Sequence, residues 1–171
     1  MKVMKKSKGF SLIELLIVVA IILIIAAIAI PNLLRARIAA NESSAAASVR
    51  TIVTSQLAYQ NAYQIFANSI MALGPPSATG CPSSGPTSAN ACILDYQLAS
   101  TTATNPKSGY YFSAASPTTT QFFVQGHPGS AGTSGVKGFC ATEDNAVRFN
   151  NPDAAIASHD ACIALLPVIG N

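Results

Sequence analysis

The residue with the most chemical consequence is Glu14, a carboxylate near the start of the otherwise apolar run GFSLIELLIVVAIILIIAAIAIP, residues 9–31. A charged side chain at mid-bilayer costs a helix roughly 2.5–3.5 kcal/mol on insertion scales, and less toward the edge. A carboxylate kept in such a run asks for a positive partner, and the run itself holds none. Processing would create one. Were the chain cut after Gly9, the new amino group on Phe10 would lie one helical turn from Glu14.

Other candidates for chemistry are few. Cys81, Cys92, Cys140 and Cys162 contain no C-x-x-C spacing, which leaves out a zinc ribbon and a thioredoxin-type motif. An even cysteine count suits disulfides on the exported side of a membrane, although four cysteines allow several pairings and sequence alone does not choose among them. Cys81–Cys92 and Cys140–Cys162 are preferred because each would close a local loop without regular structure, contributing on the order of 3 kcal/mol. His127, beside Pro128-Gly129, and His159, before Asp160, read as loop residues. With no G-x-S-x-G elbow, the abundant serines form no recognisable hydrolase framework. Glu143, Asp144, Asp153 and Asp160 lie near one another in sequence, and carboxylates suit calcium. Without an EF-hand pattern, a solvated acidic turn is the simpler reading. No catalytic residue, metal site or cofactor is expected.

A long helix must position Glu14. Leu12–Ile30 would reach roughly 28 Å at ~1.5 Å per residue, close to a ~30 Å hydrocarbon core. Lys2, Lys5, Lys6 and Lys8 precede it, so the positive-inside rule keeps that leader in the cytoplasm and sends the bulk of the chain outward. Those four are among ten basic side chains; without them six basic and seven acidic remain, and the formal charge of +3 becomes −1. No strongly basic surface survives, so no specific nucleic-acid partner is inferred. Pro31 is compatible with a continuing, kinked helix. From Asn32 to about Tyr63 the chain is rich in alanine and free of glycine and proline. Ile38, Ala45, Ile52 and Tyr59 recur every seventh residue with Val49 and Tyr63 beside them, while Arg35, Glu42, Arg50 and Asn61 lie elsewhere around the helix. That is an amphipathic helix facing a core; its first half, apolar all round, needs lipid or other copies of itself.

From about Ala67 the pattern becomes that of a small head. Gly74-Pro75-Pro76 breaks the helix and opens a loop that reaches Asn90. Gly109–Ser113 and Gln121–Gln125 read as one hairpin, Val136–Ala141 and Ala146–Asn150 as a second. Alternation puts Tyr110, Phe112, Phe122 and Val124 on the core face, with Tyr111 and Phe123 opposite. The tail from Asn151 shows no strand. The expected fold is α+β, a long N-terminal helix packed on a small antiparallel sheet. Its expected divisions are 1–9 as a leader, 10–31 as the membrane and assembly half of the helix, 32–66 as the amphipathic half, and 67–171 as the head.

The segment Gly9-Phe10-Ser11-Leu12-Ile13-Glu14-Leu15-Leu16-Ile17-Val18-Val19 resembles the processing and methylation signal of type IV pilins and the related pseudopilins, and Pro31 matches the proline carried there. The likeness covers the first quarter of the chain. It implies a pilin-like fold, cleavage between Gly9 and Phe10 by a prepilin peptidase that also methylates the Phe10 amine, and pairing of Glu14 with that amine on a neighbouring subunit. A C-terminal loop bounded by two cysteines also resembles many pilins. Leu23 departs from the pattern, since many members have glycine there. Glycine weakens a helix by about 1 kcal/mol relative to alanine, so this helix is expected to unwind less in a filament.

The implied function is that of a structural type IV pilus subunit. Its implied partners are further copies of itself in a helical filament, other pilins, the peptidase, an inner-membrane assembly platform and the membrane. The implied route runs from a single-pass inner-membrane precursor to the pilus on the cell surface. A pseudopilin of a type II secretion system, working in the periplasm, is the alternative; the cysteines and Ser/Thr/Gly-rich loops lean toward the pilin. A secreted or anchored binding domain that never polymerises is a reading of another class. A signal peptide cut at Ala27-Ile28-Ala29 would need a shorter apolar run without Glu14. A plain anchor explains the length of the run but neither Glu14 nor the Gly9-Phe10 junction.

Overall fold

A computed structural model describes residues 9–116, 118–154, 156 and 158–165. The leader lysines Lys2, Lys5, Lys6 and Lys8 lie outside the described residues, as does the end of the tail from residue 166. Two compact units are present, Met1–Ala36 and Arg37–Asn171.

Helix α1 runs from Leu12 to Tyr63 and includes Pro31. Among the described residues of the first unit its large apolar side chains are exposed: Leu12 is 79 % exposed, and even Val19 is 46 % exposed. This part of α1 is long and apolar enough to cross a membrane. In the second unit the helix acquires one buried face, made by Ala45, Ala46, Ser48, Val49, Ile52, Val53, Ser55, Gln56 and Tyr59. These positions fall at three- and four-residue steps, the spacing that keeps side chains on one face.

The chain then reverses. Buried Gln56 holds the reversal at both ends of its amide: Oε1 accepts from the Ala67 N–H and Nε2 donates to the Ala67 carbonyl, each at 2.8 Å. Two one-turn helices follow, α2 (Ile70–Leu73) capped by Ser69 and α3 (Tyr96–Ala99) capped by Asp95. Both caps accept from an orphan N–H of the first turn, which lets such short helices persist.

Strands β1 (Tyr110–Ala115), β2 (Phe123–Pro128), β3 (Gly138–Thr142) and β4 (Arg148–Asn150) form one antiparallel sheet in the order β1-β2-β3-β4. The register pairs Tyr110 with Pro128, Val124 with Ala141 and Cys140 with Arg148. Tyr110, Phe112, Phe122 and Val124 are buried in one core with Val49, Ile52 and Val53 of α1, while Tyr111 and Phe123 are half-exposed. Gly126 marks the close approach of helix and sheet, for a Cβ there would stand 2.9 Å from the Phe112 ring and 3.4 Å from Val49. Every residue of β3 is buried, because its other face is covered too. Cys140, Ile156 and Cys162 form a second small cluster there. Cys162 belongs to α4 (His159–Ile163), a short helix capped by Ser158, in the part of the tail where the sequence suggests no strand.

Candidate processing and assembly site

Gly9 and Phe10 precede α1 in non-helical backbone, and Phe10 is 78 % exposed. A Cβ added to Gly9 would meet nothing within 4 Å. The packing of the described residues therefore does not require glycine at this position. Ser11 then starts the helix. Its backbone N–H donates to Glu14 Oε2 at 3.0 Å, and its carbonyl accepts from the Leu15 N–H. This is one half of a capping box, in which the carboxylate at the third helical position reaches back to the N-cap amide. Ser11-Leu12-Ile13-Glu14 has the S-x-x-E signature, a local signal that the charge argument overlooks. Glu14 thus has a role within its own chain. Among the described residues its second oxygen, Oε1, has no hydrogen bond.

Pro31 sits inside α1 on the exposed surface. It withholds one backbone N–H from the ladder. Arg35 and Arg37 follow on exposed turns, where the apolar run gives way to the head unit.

In the head, sulfur is paired throughout: Cys81 with Cys92 and Cys140 with Cys162, with no free cysteine. The first bond ties the loop after α2, and the second ties α4 to β3. Neither histidine is a loop residue, contrary to the sequence reading. His127 lies on β2, its Nδ1 2.9 Å from Asp153 Oδ1 and its Nε2 2.9 Å from Gln125 Oε1. His159 opens α4 and is buried, meeting Glu143 through Nε2 and Asp160 through Nδ1. The neighbouring proline, glycine and aspartate favour loops locally, but the pairing of His127 with Tyr111 and the Ser158 cap of α4 override them.

The acidic set is dispersed by these pairings. Asp153 serves His127 and Glu143 serves His159, while Asp144 engages Arg148 across the β3–β4 turn. The hydrogen bond from Arg148 pulls the Asp144 carboxyl down to about 2, helped by the Ala146 N–H and the Thr142 hydroxyl against the opposing effect of burial. Asp160 is the most exposed of the four, its side chain 94 % exposed, with Oδ1 3.1 Å from His159 Nδ1.

Glu42, placed by the helical pattern away from the core stripe, is instead a latch. Its Oε1 accepts from the backbone N–H of Val136 at 3.1 Å and of Lys137 at 3.3 Å, and its Oε2 meets Lys137 Nζ at 3.1 Å. Its neighbour Asn41 donates from Nδ2 to the Ser134 carbonyl at 2.8 Å. One turn of α1 thus pins the segment that leads into β3. Tyr110 reaches the same segment, donating to the Lys137 carbonyl at 2.7 Å. Burial raises the Tyr110 phenol pKa well above its ordinary value, and the negative charges of Glu42 and Asp153 push in the same direction.

A long helix that is apolar at its start and amphipathic where it backs a four-stranded antiparallel sheet defines a pilin-like architecture. Residues 4–30 match the family model for the prokaryotic N-terminal methylation motif. Over 160 residues the chain is 34 % identical to the type IV wide pilus major component PilA4 of Thermus thermophilus, covering 93 % of this chain and 99 % of that one. Over 68 residues it is 43 % identical to the type IV major pilin protein PilA of Myxococcus xanthus, which covers 38 % of this chain and 31 % of that protein. The chain belongs to the type IV pilin family.

Proposed function

We propose that this protein is a structural subunit of a type IV pilus that polymerises through the apolar half of α1 with copies of itself and with other pilins. The observation that carries the reading is the match to a major pilus component along 99 % of that component's length. The exposed side chains of Leu12–Leu34 fit it, since an all-round apolar helix is stable only in lipid or among other such helices.

On this reading residues 1–9 are a leader removed by a prepilin peptidase between Gly9 and Phe10, and the new Phe10 amine is methylated. Before assembly the chain spans the inner membrane once, with its lysines in the cytoplasm; an assembly platform then draws it into the filament. Residues 10–31 hold the subunit in the bundle, residues 32–66 back the head, and residues 67–171 form the head itself. In the filament Glu14 accepts the Phe10 amine of a neighbour. Its Oε1, unbonded among the described residues, is available for that contact while Oε2 keeps the Ser11 amide.

The deciding experiment is mass spectrometry of the mature N-terminus in membranes and in filaments sheared from cells. N-methylated Phe10 abundant in the sheared fraction is the expected result. An N-terminus at Ile30, or an intact Met1, overturns the processing scheme. Methylated Phe10 confined to membranes assigns the chain to the secretion machinery instead.

A further inference from the structure

His159 is 6 % exposed at the first residue of α4. Its Nε2 lies 2.8 and 2.9 Å from the two carboxylate oxygens of Glu143, in the turn that follows β3, and its Nδ1 lies 3.1 Å from Asp160 Oδ1. An ionised carboxylate only accepts hydrogen bonds, and a neutral imidazole has one N–H to give. The neutral ring would turn a lone pair toward a carboxylate at one nitrogen or the other; the imidazolium satisfies both. Burial works against the charge, yet the hydrogen bonds to Asp160 and Glu143 outweigh it and hold the ring's pKa above the ordinary 6.5. The other charges of these elements are already engaged, since Asp144 and Arg148 pair with each other in the β3–β4 turn. His127, on the same tail through Asp153, differs in kind. Its second nitrogen faces the carboxamide of Gln125, which can present either its oxygen or its NH2 group.

The geometry points to α4 as a proton-gated clasp on the sheet. With His159 charged, Glu143 locks α4 to the β3–β4 turn. With His159 neutral, its single N–H can meet only one of the two carboxylates and does so without charge, so the lock weakens and α4 depends more on the Cys140–Cys162 bond and the apolar contacts around Ile156. The sign follows from linkage. A histidine whose pKa is raised by folding contributes its full stabilisation below about 6.5, and loses it as the pH rises through the folded value. The C-terminal face of the head is therefore tight while His159 is charged and Glu143 ionised, and it loosens as the pH rises through the raised value of His159.

The test is a pH titration of the full chain in detergent micelles, following the histidine ring carbons by NMR together with amide protection factors corrected for intrinsic exchange. The informative amides are Cys162 and Ala164, which donate to Ser158 and Asp160 within α4. His159 is expected to titrate above 6.5, and protection at Cys162 and Ala164 to fall by about threefold or more across the same window. Val124 and Ala141 in the sheet should not change. Glu143→Gln, nearly the same shape without the charge, should move both the titration and the opening to lower pH; His127→Gln should leave both in place, and His159→Gln should abolish the opening step. A His159 midpoint at or below 6.5, protection that stays flat through the titration, or an unaltered step in His159→Gln overturns the clasp. Should His159→Gln fail to fold, Glu143→Gln decides, and a step that does not move in that variant is fatal.

Discussion

At the scale of single residues, Glu14 caps its own helix and is proposed to pair with a neighbour's amine, two roles that substitution can separate. As a capping residue it needs only an acceptor, which glutamine also provides; as the partner of an amine it needs its charge. Glu14→Gln is expected to keep the first turn of α1 and membrane insertion, and to reduce entry into filaments about as strongly as Glu14→Ala. Counting each variant in sheared filaments against its level in membranes checks this. If Glu14→Gln assembled normally while Glu14→Ala did not, Glu14 would be a helix cap and the charge-pairing idea would fail. Glu42 poses the opposite problem, because its importance is internal. Glu42→Ala strands two backbone N–H groups and Lys137 at once. Hydrogen bonds to a charged acceptor are worth about 1.5–3 kcal/mol each where buried, and the half-exposed ion pair adds little. A loss of about 2–3 kcal/mol in denaturant unfolding is expected, set by the amides. A change within the error of a surface mutation would show that water replaces the latch.

Among the elements, the two hairpins were legible because period-two alternation is local. Tyr110 and Phe112 on β1, and Phe122 just before β2 with Val124 on it, each announce a buried face two residues apart, and the buried positions follow that alternation. Helix α4 was not legible. His159–Ile163 is too short to show a helical period, and it is held by Cys162, His159 and the Ser158 cap, of which only the cap is a local signal. The β3–β4 turn depends on a different charge pair. The Asp144 carboxyl, pulled down to about 2 by Arg148, stabilises the fold above its ordinary value near 3.8 and ceases to do so as the pH falls through about 2. Between pH 4 and 2 the thermal midpoint is expected to drop less steeply in Asp144→Asn than in the parent, with the variant already weaker at pH 7. Parallel acid limbs in a melting series would remove Asp144 from this role.

For the whole molecule, the division into Met1–Ala36 and Arg37–Asn171 separates a segment whose described apolar side chains are exposed from one that folds around its own core. Among the described residues the buried hydrophobic ones begin at Ala45 and extend to Cys162, within the second unit. A chain starting at Arg37 is therefore expected to be soluble and monomeric, and to unfold in one cooperative transition by circular dichroism, without entering filaments. A molten product would mean that the first unit is needed for the head to fold.

The sequence by itself determined the length of α1, the change in its character after Pro31, and the presence of two hairpins. Each of these is written in near-neighbour order, where periodicity and capping operate. Only the tertiary structure decided that Glu42 holds Val136 and Lys137, that Gln56 clasps the Ala67 backbone, and that His159 meets Glu143. A polar side chain's partner is set by whatever donor or acceptor the folded chain brings within about 3 Å of it, and for Glu42 that donor lies 94 residues away.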